Sequence, residues 1–318
     1  MSFFLINDMN MNARRFCLSL LFIFVTLLFI GCKKEKDPLP PQIKLLFDNG
    51  FTKTGDTLEI GKPIRFRVEA IGIDANLTNF TVKKLYNGTT KTVLDSGLNS
   101  PAFVTDFTFY QSIEERVEWK LSVMDRNRNE ATVSIVVYKD PNSTFGGIYE
   151  FNNIRMGYQL NTTHGHFFLP LMNKVFFGDS ASMYQDKVDI LVYFNYREDL
   201  GEMKPSPTFS SPGEELSGSG ELYDDYYPFL KDWTTRNYTK YDIRAVNGVT
   251  PELYNNAHND SLLIVSYDDV WGKKKYKWAY PGTFIPIQTA AGKKGIIRVD
   301  AADNLETGTI TFSLKIQM

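Results

Sequence analysis

An alternation of apolar and polar residues constrains the fold of this chain more than any other feature. In residues 64–70 and 117–123, apolar side chains occupy every second position and charged or polar side chains lie between them. Ala131, Val133 and Ile135 continue the pattern after a polar turn. Successive side chains of a β-strand point to opposite faces, so this period of two predicts strands with one buried face.

Turn residues divide these strands into a regular series. Asn87 and Gly88 both tolerate positive φ and stand between two strand-like runs, which favours a two-residue hairpin turn. Further strands are predicted at residues 43–47, 80–86, 89–94 and 103–109. About seven short strands in roughly 100 residues is the number found in a β-sandwich. We therefore expect a β-sandwich over residues 42–140.

The overall composition excludes several classes of function. A net charge of −2 gives no electrostatic basis for binding nucleic acid. Aromatic residues make up 14% of the chain, which again favours strands over helices. The two cysteines, Cys17 and Cys32, both lie in the N-terminal segment. The rest of the chain therefore has no thiol for a disulfide, a zinc site or a nucleophile.

The N-terminal segment has the organisation of a secretory signal. Two arginines precede an apolar run at residues 16–30, and a glycine stands before Cys32. The ending Phe29-Ile30-Gly31-Cys32 resembles a bacterial lipobox, which implies that Cys32 is lipidated and becomes the mature N-terminus. The alternative is an uncleaved transmembrane helix, but crossing a bilayer takes about 20 apolar residues. We expect residues 1–31 to be a lipoprotein signal peptide.

A lipid anchor predicts an outer-membrane lipoprotein, on the periplasmic face or at the cell surface, with the membrane as one partner. Lys33 rather than Asp follows Cys32, and by the usual sorting rule this argues against retention at the inner membrane. Residues 32–41 are charged and then proline-rich, so we expect them to form a solvated tether.

A second β-rich domain is expected over residues 145–318, after a boundary rich in Pro, Asn and Ser. Strands are predicted at residues 188–194, 283–289, 295–299 and 308–316. Pro286 suggests that the second of these lies at a sheet edge. The predicted fold class is all-β: an immunoglobulin-like sandwich followed by a larger sandwich or jelly-roll-like domain with one or two short helices.

The helices and loops of this second domain are also predicted. Short helices are expected at residues 180–186 and 252–257, the second with Thr250 as its N-cap and Pro251 at its first position. Residues 202–225 are dense in Ser, Gly, Pro and Glu, and they are expected to form a long exposed loop.

Two resemblances agree with this organisation. Residues 119–125 and 131–135 resemble bacterial immunoglobulin-like and PKD-like modules, which mostly serve as spacers. The series that includes Trp233, Gly292-Lys293-Lys294-Gly295 and Leu314-Lys315-Ile316-Gln317 resembles uncharacterised two-domain lipoproteins of Bacteroidota. This resemblance implies a spacer module followed by a β-rich domain, and no activity comes with it.

Candidate catalytic and metal-binding groups have no supporting pattern. His164 and His166 could form half a metal site, but the chain's one other histidine is His258, so a polar turn is the favoured interpretation. Glu214 and Glu221 fall in the predicted loop, which is a poor frame for the paired carboxylates of a glycosidase. We predict no catalytic set, no metal and no cofactor.

Aromatic residues concentrated between residues 222 and 280 form the candidate ligand site. Flat rings beside polar groups suit sugars, whose C–H faces pack on rings while their hydroxyls take hydrogen bonds. The alternative is that most of these rings belong to the core. The candidate residues are Tyr226, Tyr227 and Trp271, with Asp224 and Asp225.

These observations predict a non-enzymatic envelope lipoprotein whose C-terminal domain binds an extracellular ligand such as a polysaccharide. The alternative is a structural or adhesive protein that contacts another envelope protein. A glycoside hydrolase whose carboxylates are assembled by the fold is a third, less favoured interpretation.

Replacing Cys32 with Ala should release the protein from membranes, because the substitution removes the sulfur that carries the acyl chains. Membrane and soluble fractions of cells that produce each form give the measurement. A Cys17→Ala protein is the matched control and should stay with the membranes. Unchanged fractionation of the Cys32→Ala protein would refute the lipoprotein interpretation.

Overall fold

A computed structural model describes residues 36–48, 50–215 and 220–318, and most of its regular structure is β-strand. The predicted signal peptide and Cys32 lie outside the described residues. The N-terminal part contains β1 (Gln42–Leu46), β2 (Thr57–Leu58), β3 (Pro63–Ile71), β4 (Leu77–Tyr86), β5 (Thr89–Ser100), β6 (Ala102–Tyr110), β7 (Arg116–Asp125) and β8 (Glu130–Lys139).

These eight strands form two sheets that share one core. One sheet has the order β1-β3-β6, and the other has the order β2-β8-β7-β4-β5. The short strand β2 pairs parallel with β8, while the other neighbours pair antiparallel. The chain crosses between the sheets after β1, β2, β3, β5 and β6, while β4–β5 and β7–β8 are hairpins within one sheet, and such crossings are typical of immunoglobulin-like sandwiches. The predicted immunoglobulin-like sandwich is confirmed.

The core of this sandwich consists of the residues that the alternation selects. Phe66, Phe80 and Trp119 are buried, and the ring of Trp119 stacks on that of Phe109 with 4.6 Å between centroids. The two turn residues between β4 and β5 have φ angles of 46° and 75°, as a two-residue hairpin turn requires. The hairpin prediction is therefore confirmed.

The C-terminal part is a second set of strands with a few short helices. Its strands are β9 (Ile148–Gly157), β10 (Phe167–Leu169), β11 (Lys174–Phe176), β12 (Ile190–Asp199), β13 (Glu202–Ser210), β14 (Lys240–Asp242), β15 (Gly272–Lys273), β16 (Phe284–Gln288), β17 (Lys294–Ala302) and β18 (Thr309–Gln317). Its α-helices are α1 (Gly178–Ala181), α2 (Pro251–Asn256) and α3 (Ser261–Ser266). Tighter or wider helical turns occupy Pro170–Met172, Ser182–Lys187, Leu222–Tyr226 and Pro228–Asp232. Within the described ranges, no helix is long and apolar enough to cross a membrane.

Two antiparallel sheets pack against each other in this part. A six-stranded sheet has the order β15-β14-β16-β17-β18-β9, and a four-stranded sheet has the order β11-β10-β12-β13. Their facing side chains form one buried cluster, with Phe168, Val192 and Phe209 from the smaller sheet and Phe312 and Leu314 from the larger. The fold class is therefore all-β throughout, as predicted.

Both sheets are also covered on their outer faces. The segment from Leu222 to Trp233 lies over the four-stranded sheet, where Tyr223, Tyr227 and Leu230 join a second buried cluster. Helices α2 and α3 lie over the six-stranded sheet. Thr250 Oγ accepts a hydrogen bond from Leu253 N at 3.2 Å, which confirms the predicted N-cap of α2.

The structure corrects two of the predicted elements. Residues 202–210 form β13, so the prediction of a long exposed loop over residues 202–225 is wrong. Pro207 is tolerated because β13 is the edge strand of its sheet. The Pro207 carbonyl accepts from Ala279 N on the side away from β12.

The edge position predicted for Pro286 is also wrong, since β16 lies between β14 and β17. The pairing of β16 with β14 ends at Ile287, before Pro286. The ladder therefore needs no N–H donor at Pro286.

Replacing Phe312 with Ala should lower the free energy of unfolding by about 3–5 kcal/mol, because it opens a cavity between the sheets. The Phe312 ring lies edge-on to those of Phe168 and Phe209, at centroid distances of 5.9 and 5.1 Å. Urea unfolding followed by tryptophan fluorescence measures the change. Phe145→Ala, at a position 37% exposed, is the control and should cost far less. Equal losses in the two variants would contradict this view of the core.

Candidate functional site

Three of the predicted site residues lie in one helical turn, Leu222–Tyr226, on the outer face of the four-stranded sheet. The ring of Tyr226 stacks on that of Tyr193 with 4.5 Å between centroids, and the Tyr226 hydroxyl donates to Glu221 Oε1 at 2.9 Å. Asp224 pairs with Lys231 at 2.7 Å. Asp225 is exposed. Tyr226 is therefore held in a half-buried position by contacts on its ring and on its hydroxyl.

Tyr227 does not belong to a surface site. Its side chain is only 2% exposed, and its hydroxyl donates to the backbone carbonyl of Val192 at 2.7 Å. Its ring lies against His166 and Phe167 in the cluster that covers the four-stranded sheet. The prediction that Tyr227 contacts a ligand at the surface is wrong, because the ring is needed to bury the sheet beneath it.

Tyr226 is one member of a larger group of polar side chains, here called the outer-face cluster. Lys275 Nζ lies 2.6 Å from Glu214 Oε1 and 3.2 Å from Glu221 Oε2, and it donates to the Tyr193 hydroxyl at 3.0 Å. Ser210 Oγ donates to the second oxygen of Glu214 at 2.6 Å. The cluster consists of Tyr193, Asn195, Arg197, Ser210, Glu214, Glu221, Tyr226 and Lys275.

Neighbouring cations determine the charge of Glu221. Burial alone would raise the pKa of this carboxyl, but hydrogen bonds from Arg197 and Tyr226 and the positive charges of Arg197 and Lys275 lower it to about 2. Burial raises the pKa of the Tyr193 hydroxyl well above its usual value, and the charge of Glu214 raises it further. At neutral pH, Glu221 is therefore ionised and Tyr193 is protonated.

The outer-face cluster has the chemistry of a structural ion-pair network. A glycosidase needs one carboxyl that holds a proton at working pH and a second that faces the substrate. Here Lys275 lies between the two glutamates, and Glu221 carries no proton to donate. The network instead fastens the chain around Glu214 and Glu221 to β12 and β13.

Sequence reasoning placed Glu214 and Glu221 in a solvated loop, and for Glu214 that is wrong because its side chain is 1% exposed. One sequence pattern could have indicated the cluster. Tyr193, Asn195 and Arg197 occupy every second position beyond a strongly apolar run, so they share one face of β12. Polar side chains on one face of a buried strand require partners from elsewhere in the chain.

Trp271 lies in a different part of the domain, in the turn between α3 and β15. Its side chain is 46% exposed, and that of Val270, the preceding residue, is 75% exposed. Trp271 N donates to Asp268 O at 3.1 Å, and Trp271 O accepts from Ile243 N at 3.2 Å. These residues define the Trp271 surface. Tyr226 stacks instead on Tyr193 over the four-stranded sheet, so the structure does not bring the two predicted aromatic residues together.

The histidine pair is a structural turn. His166 is buried, with Nδ1 2.9 Å from Gly157 O, while His164 Nδ1 lies 2.9 Å from Thr163 Oγ1. Burial lowers the pKa of His166. In the part of the chain that the structure describes, no three His, Cys, Asp or Glu side chains are grouped so as to hold a metal ion.

Comparisons with known proteins add little to this geometry. No family model matches the chain, and no curated protein sequence matches it. A solution NMR structure of the CARDB domain of a Pyrococcus furiosus protein is similar to part of the chain. It is 18% identical, covers 31% of this chain and 96% of its own, and has a TM-score of 0.20. The fold described above follows from the strand order of the two sandwiches.

Glu221 should make stability depend on pH in acid. Its native pKa of about 2 lies below the ordinary value of 4.5, so its contribution is present above pH 4.5 and is lost as the pH falls towards 2. Glu221→Gln should remove about 1–3 kcal/mol of that pH-dependent change. Urea unfolding at several pH values measures it, with the exposed Glu202→Gln as the control. An unaltered pH slope in the Glu221→Gln protein would contradict the assignment.

Proposed function

We propose that this chain is a non-enzymatic lipoprotein of the bacterial cell envelope whose C-terminal sandwich binds an extracellular glycan. The exposed indole of Trp271 is the observation that carries the glycan part of the proposal. Large aromatic side chains are mostly buried in folded proteins, so a tryptophan 46% exposed on a well-anchored turn has no role in the core.

The surroundings of Trp271 supply what a sugar needs. Asp268 and Asp269 precede it, and Lys273 follows it on β15. Asp268 accepts from Val270 N at 3.0 Å and lies 3.8 Å from Arg244, while one oxygen of Asp269 pairs with Lys240 at 2.8 Å, so these contacts hold the turn in place. A fixed ring flanked by carboxylates and an ammonium group can pack on a pyranose face and bond its hydroxyls.

The N-terminal sandwich suits the role of a spacer. The chain enters it where Leu39 N donates to Asp74 and Asn129 donates to the carbonyl of Pro38. It leaves at the far end of β8, whose ten residues span about 34 Å. A lipid attached at Cys32 would therefore lie at one end of this sandwich, and the binding domain would lie at the other.

A second candidate function, contact with another envelope protein, is favoured by the aliphatic residues around Trp271. Ile243, whose N–H donates to the Trp271 carbonyl, is 42% exposed, and Val270, next to Trp271 in the chain, is 75% exposed. Exposed apolar side chains grouped around a tryptophan are typical of the centre of protein–protein interfaces.

Trp271→Ala should weaken binding to polysaccharide by about tenfold, since the ring supplies the packing surface. The measurement is retardation in affinity gels that contain different polysaccharides, with the soluble chain from Lys33 to Met318. Tyr196→Ala removes a ring that is 54% exposed elsewhere in the same domain, and it is the matched control. Binding that ignores Trp271→Ala would remove this surface from the proposal. Absence of binding to every polysaccharide would favour the protein-contact function.

A further inference from the structure

The two sandwiches meet at a contact that contains a histidine. His258 lies between α2 and α3, and its ring stacks on that of Tyr110, at the end of β6 in the first sandwich. The ring centroids are 3.3 Å apart, and the planes are inclined by 18°. This is face-to-face contact between side chains from different domains.

Residues that follow His258 bind the same boundary. Asn259 Nδ2 donates to the carbonyl of Ile60 in the first sandwich at 3.0 Å. Asp260 accepts from Gly146 N at 2.7 Å and from Gln317 Nε2 at 2.8 Å. Ile60 N in turn donates to Ser143 Oγ at 2.9 Å, in the connecting segment. The loop that carries His258 therefore makes several of the contacts that hold the two domains together.

Several charged and titratable groups face His258. Lys315 of β18 has a side chain only 1% exposed, and its ammonium group donates to the carbonyl of Ala257 at 2.9 Å. Glu150 of β9 lies 3.7 Å from Lys315 and partly balances its charge. Tyr110 faces the imidazole from β6, and Tyr254 lies under Lys315 from α2. Asp260 lies two residues along the same loop, but its oxygens are occupied by Gly146 and Gln317.

Burial lowers the pKa of His258, and the charge of Lys315 lowers it further, while Glu150 opposes the effect. The folded, docked form thus favours neutral imidazole. Docking lowers the pKa of this base. The contact is therefore fully stable at pH values above 6.5, the ordinary pKa of histidine, and weakens as the pH falls below 6.5.

We propose that His258 is a pH-sensitive lock between the two sandwiches. Neutral imidazole stacks on Tyr110 and holds the domains in one orientation. Protonation makes the stacked position costly, because a charged imidazolium must give up water to lie against Tyr110, close to the buried ammonium group of Lys315, and this loosens the contact. The equilibrium constant for docking then falls by at most about tenfold per pH unit, because one proton is linked to the change.

A pH effect on the domain contact can be assigned to one residue, because the chain has only three histidines. His164 and His166 both lie in the turn before β10, where His166 bonds Gly157 within the C-terminal sandwich. His258 alone among the three stacks on a residue of the first sandwich. The substitution His258→Phe keeps a flat ring against Tyr110 and removes the group that takes a proton.

The test is the distance between two fluorophores, one on each domain, in the chain from Lys33 to Met318. That chain contains every described residue and neither cysteine. Labels can therefore be attached specifically at Lys91→Cys and Leu200→Cys. The wild type should give one narrow distance distribution at about pH 7.5 and a broader one at about pH 5.5. His258→Phe should stay narrow at both, and His164→Gln should behave as the wild type does.

Circular dichroism at each pH separates loosening of the contact from unfolding of a domain. A wild-type distribution that does not change with pH would overturn the proposal. So would a His258→Phe protein that broadens as the wild type does. Neither result bears on glycan binding through Trp271.

Discussion

The C-terminal sandwich depends on a four-stranded sheet that is buried on both faces. Ile190 to Phe194 of β12 are all fully buried, so this sheet needs apolar cover on each side. The six-stranded sheet covers one face, and the segment that ends at Trp233 covers the other. Further along β12, the outward side chains are polar, and the same cover encloses them. Glu221 is the partner of both Asn195 and Arg197, and Lys275 links Glu221 to the buried Glu214.

The features that sequence predicted well are encoded by neighbours in the chain. Period-two alternation defined the strands of the first sandwich, because one face of each strand is buried and the other is exposed to solvent. The turn at Asn87 and Gly88 follows from their tolerance of positive φ. The start of α2 follows from Thr250 and Pro251, whose side chains satisfy or avoid unpaired N–H groups at a helix start. Each of these features depends on contacts between residues that are close together in the sequence.

The features that sequence missed depend on distant partners. Residues 202–210 have loop-like composition, yet they pair with β12, and their polar side chains are buried under chain that comes from elsewhere. Tyr226 and Tyr227 are adjacent and chemically alike, but one is half exposed and the other lies in the core. Composition cannot separate such a pair, because the difference arises from which face of a turn meets the sheet. Trp271 kept its predicted exposure because α3 and β15 leave its turn outside both clusters.

The entry and exit points of the first sandwich give it a mechanical character. A pull between the N-terminal segment and the C-terminal sandwich would act outward on the first residue of β1 and on the last residue of β8. Each strand would then slide lengthwise past its neighbours, β1 past β3 and β8 past β7 and β2. Hydrogen bonds perpendicular to the pull share the load and must fail together, unlike those of a hairpin opened from its ends. The first sandwich is thus built to carry tension along its length.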